Sequence, residues 1–546
     1  MIAFMIKKLS PERLQAEKYL QADKVFEALE IFNQLVSKNP SDLQAWGGVG
    51  MVMVRTLQHE QATETFKFIL SLDPKNALAH YGLSMSLLAM GQKQEACEAA
   101  DQACLYAPHD WIVQRGRAIT HAAAGAKPDK ILERFCDWGR RFADPLTQQS
   151  TPFAKLTLQQ KKPLRKLNIG YVSGDLRNHS IAFFIEPILK HHNSENVEVF
   201  VYSTGPRDAV TERLNSYVSN WFDVHSLSDQ SLHKLIRSHH IDVLIDLSGH
   251  TVHNRMKVFA MQAARVQCTW LGYHYPLGMK AIEYRLVDPT LSPPSTQKFY
   301  NERLFYLECA GTYTPPSDIA ISLEPPAIKH GHPTLISLNS STKVTDTMLL
   351  LWRRILESRA DLQLILMTNE IDQEKAHAHM HPRLEKLGLP QDRVFVCRRL
   401  PLAEFMELGS MADIQLDTSP ISGGTTTFHA LWMGLPVVCL EGDDATANST
   451  YGILKHFGFD DLITYNEDAY VTKVLELAND IEGLTAHRNR VRKQMQQNKL
   501  MQHAQRTAEM EKAYRLMWFN YLLKKTEFLD TKCDLDQVVE QYFPNN

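Results

Sequence analysis

The sequence predicts an α-helical repeat array followed by two Rossmann-like α/β lobes. Near the N-terminus, Pro40, Pro74 and Pro108 recur at intervals of 34 residues, which is a typical period for a two-helix repeat. After about residue 167, apolar strand-like runs alternate with helical stretches, and this alternation predicts parallel sheets covered by helices. A chain of 546 residues has room for both parts.

The composition is that of an ordinary globular chain. The formal net charge is −3 and 22% of the residues are charged, which gives no sign of a nucleic-acid or acidic-membrane partner. The eight cysteines form no CxxC pair, so we expect free thiols in a reducing compartment rather than disulfides or a metal site. The start, MIAFMIKKLSPERLQ, has the wrong order for a secretory signal. Because no apolar run approaches about 20 residues, we expect a cytoplasmic protein without a membrane span.

The 34-residue interval matches the tetratricopeptide pattern. In the unit AWGGVGMVMVRTLQHEQATETFKFILSLDP, Trp46, Gly50, Ala62, Phe66 and Pro74 fall at the expected offsets. Small residues let two antiparallel helices approach, large residues fill the gap to the next pair, and proline ends the second helix. A generic helical bundle is the alternative. We assign residues 6–144 to this array, as about three repeats and a weaker helical extension, and expect it to bind protein or peptide partners.

Two α/β units follow a linker. The segment TQQSTPFAKLTLQQKKPLRK is polar and basic, and we place the linker at 145–166. KLNIGYVS, VEVFVYST, DVLIDLSG, VQCTWLGY and YRLVDPTL predict the strands of a first lobe at 167–325. HPTLISLN, LQLILMT, RVFVCRR, DIQLDT and PVVCLEG predict those of a second lobe at 326–546, which ends in helices. Neither lobe carries GxGxxG or GxxxxGK(S/T), which disfavours a nicotinamide dehydrogenase or a nucleoside triphosphatase.

The stretch ISGGTTTFHALWMG lies between the strand DIQLDT and a helix. Amides at a helix start attract anions; Gly423 and Gly424 let a ligand approach the backbone, and Thr425 and Thr426 add donors. A purely structural helix cap is the alternative. Lys343 follows the first strand of the same lobe, so its ammonium can reach the same cleft. A cation and a helix start converging on one point are what a departing diphosphate requires.

The first lobe offers polar side chains where strands end. His179 lies near a helix start in GYVSGDLRNHSIAFF, and Asp246 and His250 follow a strand in DVLIDLSGHTVHNRM. A histidine at such a place is able to take a proton from an attacking hydroxyl or to hydrogen-bond a sugar. A capping or packed histidine is the structural alternative. Because an unpaired carboxylate is costly in an apolar strand, we expect Asp246 to accept backbone amides.

Several stretches, in the same order along the chain, resemble the O-linked N-acetylglucosamine transferase family, which includes plant SPINDLY-type and bacterial members. They are GYVSGDLRNHS, VLIDLSGHT, FAMQAARVQCTWLGY through YRLVDPTLSPP, LPLAEF, DIQLDTSPISGGTTTFHALWMGLPVV and AYRLMW. The resemblance implies a GT-B fold of two Rossmann-like lobes after the tetratricopeptide array. It also implies an inverting glycosyltransferase without metal or cofactor. Such an enzyme transfers a sugar from a nucleotide donor, usually UDP-N-acetylglucosamine, to Ser or Thr hydroxyls of intracellular proteins.

The resemblance also implies roles for individual residues. Lys343 resembles the lysine that holds the donor diphosphate, His179 resembles a histidine discussed as catalytic base or acceptor-side group, and Phe405 stands where a histidine commonly stacks on uracil. The residue patterns and the resemblance together give one set of candidates: His179 and Lys343 as catalytic residues, Lys343, Leu400, Phe405, Gly423, Gly424, Thr425, Thr426 and His429 around the donor, and Asp246, His250 and Tyr273 around the acceptor or sugar.

Some positions depart from the family pattern. His429 replaces an acidic residue expected near the sugar or ribose, Asn448 replaces a frequent arginine, and His274 and Tyr275 stand where Pro-Gly is usual. These departures fall around the pocket and leave two alternatives open. One is the same fold with UDP-glucose or GDP-fucose as donor, and the other is a tetratricopeptide adaptor whose transferase half is inactive.

Overall fold

The computed structural model has a helical array followed by two α/β lobes, which confirms the predicted fold class. It describes residues 10–544 apart from 22–23, 310, 317–318, 320, 323, 443–445 and 525–527. Residues 6–9 of the predicted array and 545–546 of the predicted second lobe therefore lie outside the described part. Within that part, no helix combines the length and the apolar character that crossing a membrane requires.

The array consists of consecutive antiparallel helices. They are α1 (Pro11–Gln21), α2 (Val25–Lys38), α3 (Leu43–Arg55), α4 (His59–Leu72), α5 (Ala77–Ala89), α6 (Lys93–Tyr106), α7 (Trp111–Ala123) and α8 (Pro128–Trp138). Ala28, Ala62 and Ala96, one in each repeat, are fully buried, so neighbouring helices approach closely there. Phe32 and Phe66 fill the space between successive helix pairs, as the tetratricopeptide pattern predicts.

The segment predicted as a linker runs along the surface of the first lobe. It contains two short helices, α9 (Asp144–Gln148) and α10 (Leu158–Lys161). Between them, the ring of Phe153 lies 3.7 Å from the guanidinium of Arg237 and 4.7 Å from that of Arg265. Arg265 also donates to the carbonyl of Ala154 at 2.7 Å. These cation–π and hydrogen-bond contacts hold the segment against the lobe.

The first lobe is built on a seven-stranded parallel sheet with the order β3-β2-β1-β4-β5-β6-β7. Its elements are β1 (Leu167–Ser173), α11 (Ala182–His191), β2 (Val197–Ser203), α12 (Ala209–Asn215), β3 (Asn220–Asp223), α13 (Asp229–Ser238), β4 (Val243–Asp246), α14 (Met256–Ala260), β5 (Val266–Thr269), β6 (Tyr284–Val287) and β7 (Arg303–Tyr306). Tyr171 in β1 pairs with Val201 in β2 and with Ile245 in β4. The central strands β1, β4 and β5 are buried along almost their whole length, because helices cover both faces of the sheet.

The second lobe is built on a six-stranded parallel sheet with the order β10-β9-β8-β11-β12-β13. Its elements are α15 (Pro326–His330), β8 (Thr334–Ser337), α16 (Asp346–Ser358), β9 (Gln363–Met367), α17 (Gln373–Lys386), β10 (Val394–Cys397), α18 (Leu402–Ser410), β11 (Ile414–Leu416), α19 (Thr425–Trp432), β12 (Val437–Leu440), α20 (Ser449–Phe457), β13 (Ile463–Thr464), α21 (Glu467–Asn479) and α22 (Ile481–Gln497). Trp352 of α16 is fully buried in the core of this lobe.

Both sheets reverse their strand order at one point. In the first lobe β1 and β4 lie side by side at this point, and in the second lobe β8 and β11 do so. Ligands of doubly wound sheets bind outside the carboxyl ends of the strands at such switch points. The loops that follow β1, β4, β8 and β11 are therefore the expected site, and they carry most of the candidate residues.

The C-terminal helices return to the first lobe. They are α23 (His503–Leu522) and α24 (Leu535–Tyr542). Met517, Trp518 and Phe519 of α23 lie in the core of the first lobe, and the hydroxyl of Tyr514 lies 3.0 Å from that of Tyr171 in β1. The predicted boundary assigned this region to the second lobe. The sequence predicts that α23 has an apolar face. Only the tertiary structure shows that this face covers the sheet of the first lobe.

The strands that the sequence analysis did not name are β3, β7 and β13, and all three lie at sheet edges. The strand β3 reads NWFD and is half-exposed, while β13 contains only two residues. Edge strands pair on one side only and are often short and polar. They therefore lack the continuous apolar run that identified the central strands.

The array is joined to the first lobe by a close backbone contact. Gly278 has a φ of 73°, and a Cβ at this position would lie 2.1 Å from the carbonyl oxygen of Phe135 in α8. The ring of Phe135 in turn stacks on His250, with centroids 4.9 Å apart and planes 11° apart. A side chain at position 278 therefore has to push α8 away from the lobe.

We expect Gly278→Ala to destabilise this junction more than its backbone conformation alone explains. Gly331→Ala is the matched control, because Gly331 has a similar φ of 76° and nothing within 4 Å of a Cβ. The left-handed conformation costs alanine about 1 kcal/mol, and the clash adds about 2 kcal/mol at position 278. Denaturant unfolding of the two variants measures the difference. Equal losses of unfolding free energy would contradict the close contact.

Candidate functional site

The candidate site is a cavity between the two lobes, outside the carboxyl ends of their strands. Its volume is about 300 Å³. His179 and Tyr273 line it from the first lobe, and Gly424, Thr425 and Phe428 line it from the second. The structure thus brings together residues from both switch points, which lie far apart in the sequence.

The helix α19 begins at this cavity without a side-chain cap. Its N-cap residue is Gly424, and among the residues that the structure describes no side chain caps this helix start. The hydroxyl of Thr426 donates to Asn339 Oδ1 at 2.5 Å, and that of Thr427 lies 2.8 Å from the hydroxyl of Thr450. The threonines of this stretch therefore do not cap the helix. This arrangement favours the anion-site interpretation over the purely structural one.

A buried polar network holds the loop that precedes α19. Asp417, which follows β11, accepts the amide of Gly423 at 2.8 Å and the side-chain amide of Asn339 at 2.9 Å. Burial raises the pKa of Asp417, and these hydrogen bonds oppose that rise. A Cβ on Gly423 would lie 2.4 Å from the hydroxyl of Thr427. Only glycine therefore allows the loop to fold back onto its own helix at this position.

Lys343 points at the same loop. Its ammonium donates to the carbonyl of Ser422 at 2.8 Å, immediately before the two glycines. Burial lowers the pKa of Lys343, and the nearby carboxylate of Asp417 opposes this shift. A half-buried cation beside uncapped helix amides is an arrangement that binds a polyanion. The structure therefore places Lys343 at the loop before α19. Lys343, Gly423 and Thr426 lie behind Gly424 and Thr425 in this loop and are not among the residues that line the cavity.

His179 precedes α11 and faces the cavity. Its Nδ1 accepts the amide of Ile181 at 3.3 Å, and its Nε2 lies 4.0 Å from Asp175 Oδ1. Burial lowers the pKa of His179, with Asp175 opposing the shift, so the ring is neutral near pH 7. Because Nδ1 is an acceptor, the proton of the neutral ring is assigned to Nε2. In this position His179 presents a hydrogen-bond donor next to the cavity.

The loop at 271–279 forms another wall and is held by a buried ion pair. Arg285 in β6 donates to the carbonyls of Tyr273 and Tyr275 at 2.7 and 2.8 Å. Glu302, which is fully buried 3.6 Å from Arg285, accepts the amide of Leu277 at 2.6 Å. The hydroxyl of Tyr275 donates to Ala122 in α7 at 3.2 Å. The loop therefore connects the end of the array to the wall of the cavity.

Asp246 and His250 are not among the residues that line the cavity. Asp246 accepts the amides of Ser248 and Gly249 at 3.1 and 2.9 Å, as its apolar strand predicted, and burial raises its pKa to about 6. His250 is packed between the array and the lobe. Its Nε2 lies 3.0 Å from the carbonyl of Leu277, and burial lowers its pKa to about 3. Both side chains shape the turn behind the cavity wall.

The remaining donor-side candidates lie deeper or farther along the second sheet. Nδ1 of His429 accepts the hydroxyl of Tyr313 at 2.6 Å, its ring packs against Phe183, and burial lowers its pKa to about 4. Leu400 follows β10 and Phe405 lies in α18, and both are half-buried against the core of the second lobe. None of the three predicted residues lines the cavity itself. His429 is thus a packing residue of an aromatic cluster.

Asn448, the other departure on the donor side, holds the loop after β12. Its side chain donates to the carbonyl of Gly442 at 2.7 Å and accepts the amide of the same residue at 2.8 Å. The carbonyl of Thr446 in this loop accepts the hydroxyl of Ser422 at 3.0 Å. The amide group of Asn448 therefore ties its loop to β12, next to the candidate phosphate loop.

Sequence reasoning did not single out Asn339, Asp417 and Arg285. The first two were accessible in principle, because each is a polar residue directly after an apolar strand at the switch point, in SLNSST and QLDT. Arg285 had no such signal. It lies within the strand β6, and only the fold shows that its guanidinium reaches back to the carbonyls of loop 271–279.

Comparison with known proteins identifies relatives of this architecture. The sequence profile of glycosyl transferase family 41 matches residues 146–313 and 334–510. A probable UDP-N-acetylglucosamine–peptide N-acetylglucosaminyltransferase SPINDLY of Solanum lycopersicum is 35% identical over 403 residues, which are 72% of this chain and 42% of that protein. Its Arabidopsis thaliana counterpart is 33% identical over 76% of this chain and 46% of its own length. The chain therefore spans less than half the length of these curated relatives.

A solved structure resembles nearly the whole chain. It is a lysine-to-methionine mutant of the Thermobaculum terrenum O-GlcNAc transferase, which is 30% identical with a TM-score of 0.85. The match covers 94% of this chain and 98% of that chain. The resemblance found in the sequence motifs is thereby confirmed, and it extends over the array and both lobes.

We expect Lys343→Ala to weaken binding of inorganic pyrophosphate by about tenfold to a hundredfold, because a charge-assisted contact is worth about 1.5–3 kcal/mol. Lys329→Ala is the control, since Lys329 is an exposed lysine of the same lobe at the end of α15. Isothermal titration calorimetry at fixed ionic strength measures both affinities. Equal affinities for the two variants would contradict an anion site at Lys343.

Proposed function

Because the chain belongs to glycosyl transferase family 41, we propose that it is a protein O-glycosyltransferase that moves N-acetylglucosamine from UDP-N-acetylglucosamine to Ser or Thr hydroxyls. The observation that carries this proposal is that Lys343 holds the loop before the start of α19, and that this helix start lines a cavity between two lobes. This combination suits a nucleotide-sugar transferase, since such an enzyme must hold a diphosphate and leave the sugar accessible to a second substrate.

The leaving group is stabilised by fixed charges in this proposal. The acceptor oxygen bonds to the anomeric carbon from the face opposite the diphosphate, and the bond from that carbon to the phosphate oxygen breaks with its electron pair on the diphosphate. The ammonium of Lys343 and the first amides of α19 neutralise the charge that develops there. These groups need no metal ion or cofactor to do so. The stereochemical outcome is inversion at the anomeric carbon.

His179 serves the acceptor side as a positioning group. Its Nδ1 accepts the amide of Ile181, so the neutral ring has a proton on Nε2 with which to orient an oxygen atom near the anomeric carbon. A ring bound in this way has no free lone pair for the proton of the attacking hydroxyl. We therefore assign that proton to an oxygen of the departing diphosphate.

The walls of the cavity favour a sugar with an apolar substituent. Ile181, Phe184, Trp270, Leu286 and Phe428 all line it. A hexose hydroxyl among such side chains loses hydrogen bonds to water without replacement, whereas the methyl group of an acetamido substituent gains from burial. This argument supports N-acetylglucosamine over glucose. It also suits the methyl group of a 6-deoxy sugar, which makes GDP-fucose the second candidate donor.

The two departures that motivated other donors have a structural explanation. His429 fills an aromatic cluster, and Asn448 ties its loop to β12, so neither side chain is directed by its contacts toward a different sugar. We propose that Leu400 and Phe405 contact the nucleotide base, because Leu400 follows the edge strand β10 and Phe405 lies in α18, the helix that comes next. Protein acceptors approach through the array. The eight free cysteines support a reducing compartment such as the cytoplasm.

The test is a transfer assay with intact protein. Labelled UDP-N-acetylglucosamine, UDP-glucose and GDP-fucose are each incubated with a Ser/Thr peptide library in the presence of EDTA, and incorporation is read by mass spectrometry. We expect N-acetylglucosamine transfer by the wild type and by Lys329→Ala, and at least a hundredfold less by Lys343→Ala. Nucleotide binding without transfer from any donor would favour the inactive-adaptor alternative.

The pH dependence provides a separate check. Burial lowers the pKa of His179, and the ring must be neutral for Nδ1 to accept the amide of Ile181. Activity should therefore persist as the pH falls past the ordinary histidine pKa of about 6.5, and it should decline only below that value. A profile of kcat/KM against pH measures the position of this decline. A decline centred above pH 7 would contradict the assigned state of His179.

A further inference from the structure

The cavity contains a polar pair that the proposed function leaves unused. Asp288 follows β6 in the first lobe and His456 lies in the last turn of α20 in the second lobe; both line the cavity. Nε2 of His456 lies 3.1 Å from Oδ1 of Asp288. The side chain of Asp288 is only 4% exposed and that of His456 only 17%. The pair therefore bridges the two lobes at the wall of the candidate sugar pocket.

The surrounding contacts fix both partners in place. Asp288 Oδ1 accepts the amides of Thr290 and Leu291 at 2.9 and 3.0 Å. One turn before His456, on the same face of α20, a Cβ on Gly452 would lie 2.2 Å from a methyl group of Leu291. The turn after β6 thus packs directly on α20. This packing fixes the position of the helix that bears His456 at the cavity.

The pair is not fully satisfied by the protein. Although the distance between the partners is short, Nε2 of His456 is buried and has no well-aligned hydrogen bond to any residue that the structure describes. Buried polar atoms are rarely left unpaired. An unpartnered nitrogen on a residue that lines the cavity indicates that a ligand completes its hydrogen bonding.

The location of His456 suggests which part of a ligand it contacts. A Cβ on Gly424 would lie 3.6 Å from the hydroxyl of Ser449, so the start of α20 adjoins the phosphate end of the cavity. His456 lies seven residues farther along that helix, which corresponds to about 10 Å. The imidazole is therefore too far from the diphosphate to contact the bond that breaks. It lies instead where the far side of a bound hexose has to end.

We propose that the Asp288–His456 pair binds the polar atoms of the sugar substituent that points away from the diphosphate. This inference rests on the proposed function. The apolar wall accepts a methyl group, and the polar pair hydrogen-bonds the amide or hydroxyl to which that group is attached. The pair thereby acts as a specificity determinant for a substituent that combines a methyl group with polar atoms, such as an acetamido group.

The other charged groups near the pair already have partners. Lys455 forms an ion pair with Asp460, and the guanidinium of Arg285 is bound to the carbonyls of loop 271–279. Although burial alone would raise the pKa of Asp288, His456 and two backbone amides hold it below its ordinary value. Asp288 is therefore ionised at neutral pH, and its charge orients the imidazole.

Calorimetric binding of intact donors and of their bare nucleotides tests the proposal. His456→Ala is titrated with UDP-N-acetylglucosamine and UDP, and with GDP-fucose and GDP. We expect about tenfold weaker binding of the sugar nucleotide and less than twofold change for the bare nucleotide, because only the sugar contact is lost. Asp288→Asn, which keeps the acceptor for the backbone amides, should show a smaller loss of the same kind.

Controls separate this inference from the proposed function. His381→Gln changes a histidine of α17 that hydrogen-bonds Gln391 away from the cavity, and it should bind every probe like the wild type. His456→Gln should recover part of the lost affinity, and unchanged melting temperatures exclude misfolding. Equal effects on sugar nucleotide and bare nucleotide, or none on either, would overturn the specificity role alone. Failure of the wild type to bind any of the four probes would overturn the proposed function as well.

Discussion

The hydrogen bond from the ammonium of Lys343 to the carbonyl of Ser422 ties the end of β8 to the loop before α19. Around it, Asn339 and Asp417 fix the loop so that the first amides of α19 remain without a side-chain cap. A helix start in this state is stabilised by an anion, and a half-buried lysine supplies the opposing charge. The functional interpretation of the whole chain depends on this one arrangement.

The rest of the fold brings further candidate residues next to that point. The switch point of the first lobe brings His179 to the cavity, and Arg285 holds loop 271–279 as its wall. The same loop contacts α7 and α8 of the array through Tyr275 and Gly278. The array is therefore in direct contact with the wall of the cavity. The return of α23 to the first lobe packs the C-terminal end of the chain against the sheet that bears His179.

Much of this could be predicted from the sequence, and the exceptions have physical causes. The repeat period and the apolar central strands predict the fold class, and the position of Lys343 after β8 indicates the candidate anion site. Sequence spacing cannot tell whether a polar residue after a strand faces the cavity or turns inward. His250 and His429 therefore became site candidates, although burial and aromatic packing make them structural. The sequence did not indicate Asp288 and His456, because only the contact between the lobes brings these two residues together.

A crystal structure with bound UDP tests the central claim most directly. The account predicts that the β-phosphate accepts hydrogen bonds from the backbone amides of Thr425 or Thr426 and lies within ion-pair distance of the Lys343 ammonium. It also predicts that the uracil extends toward Phe405 while the space beyond the β-phosphate opens toward His179. A diphosphate bound elsewhere in the cleft, with the start of α19 uninvolved, would contradict it.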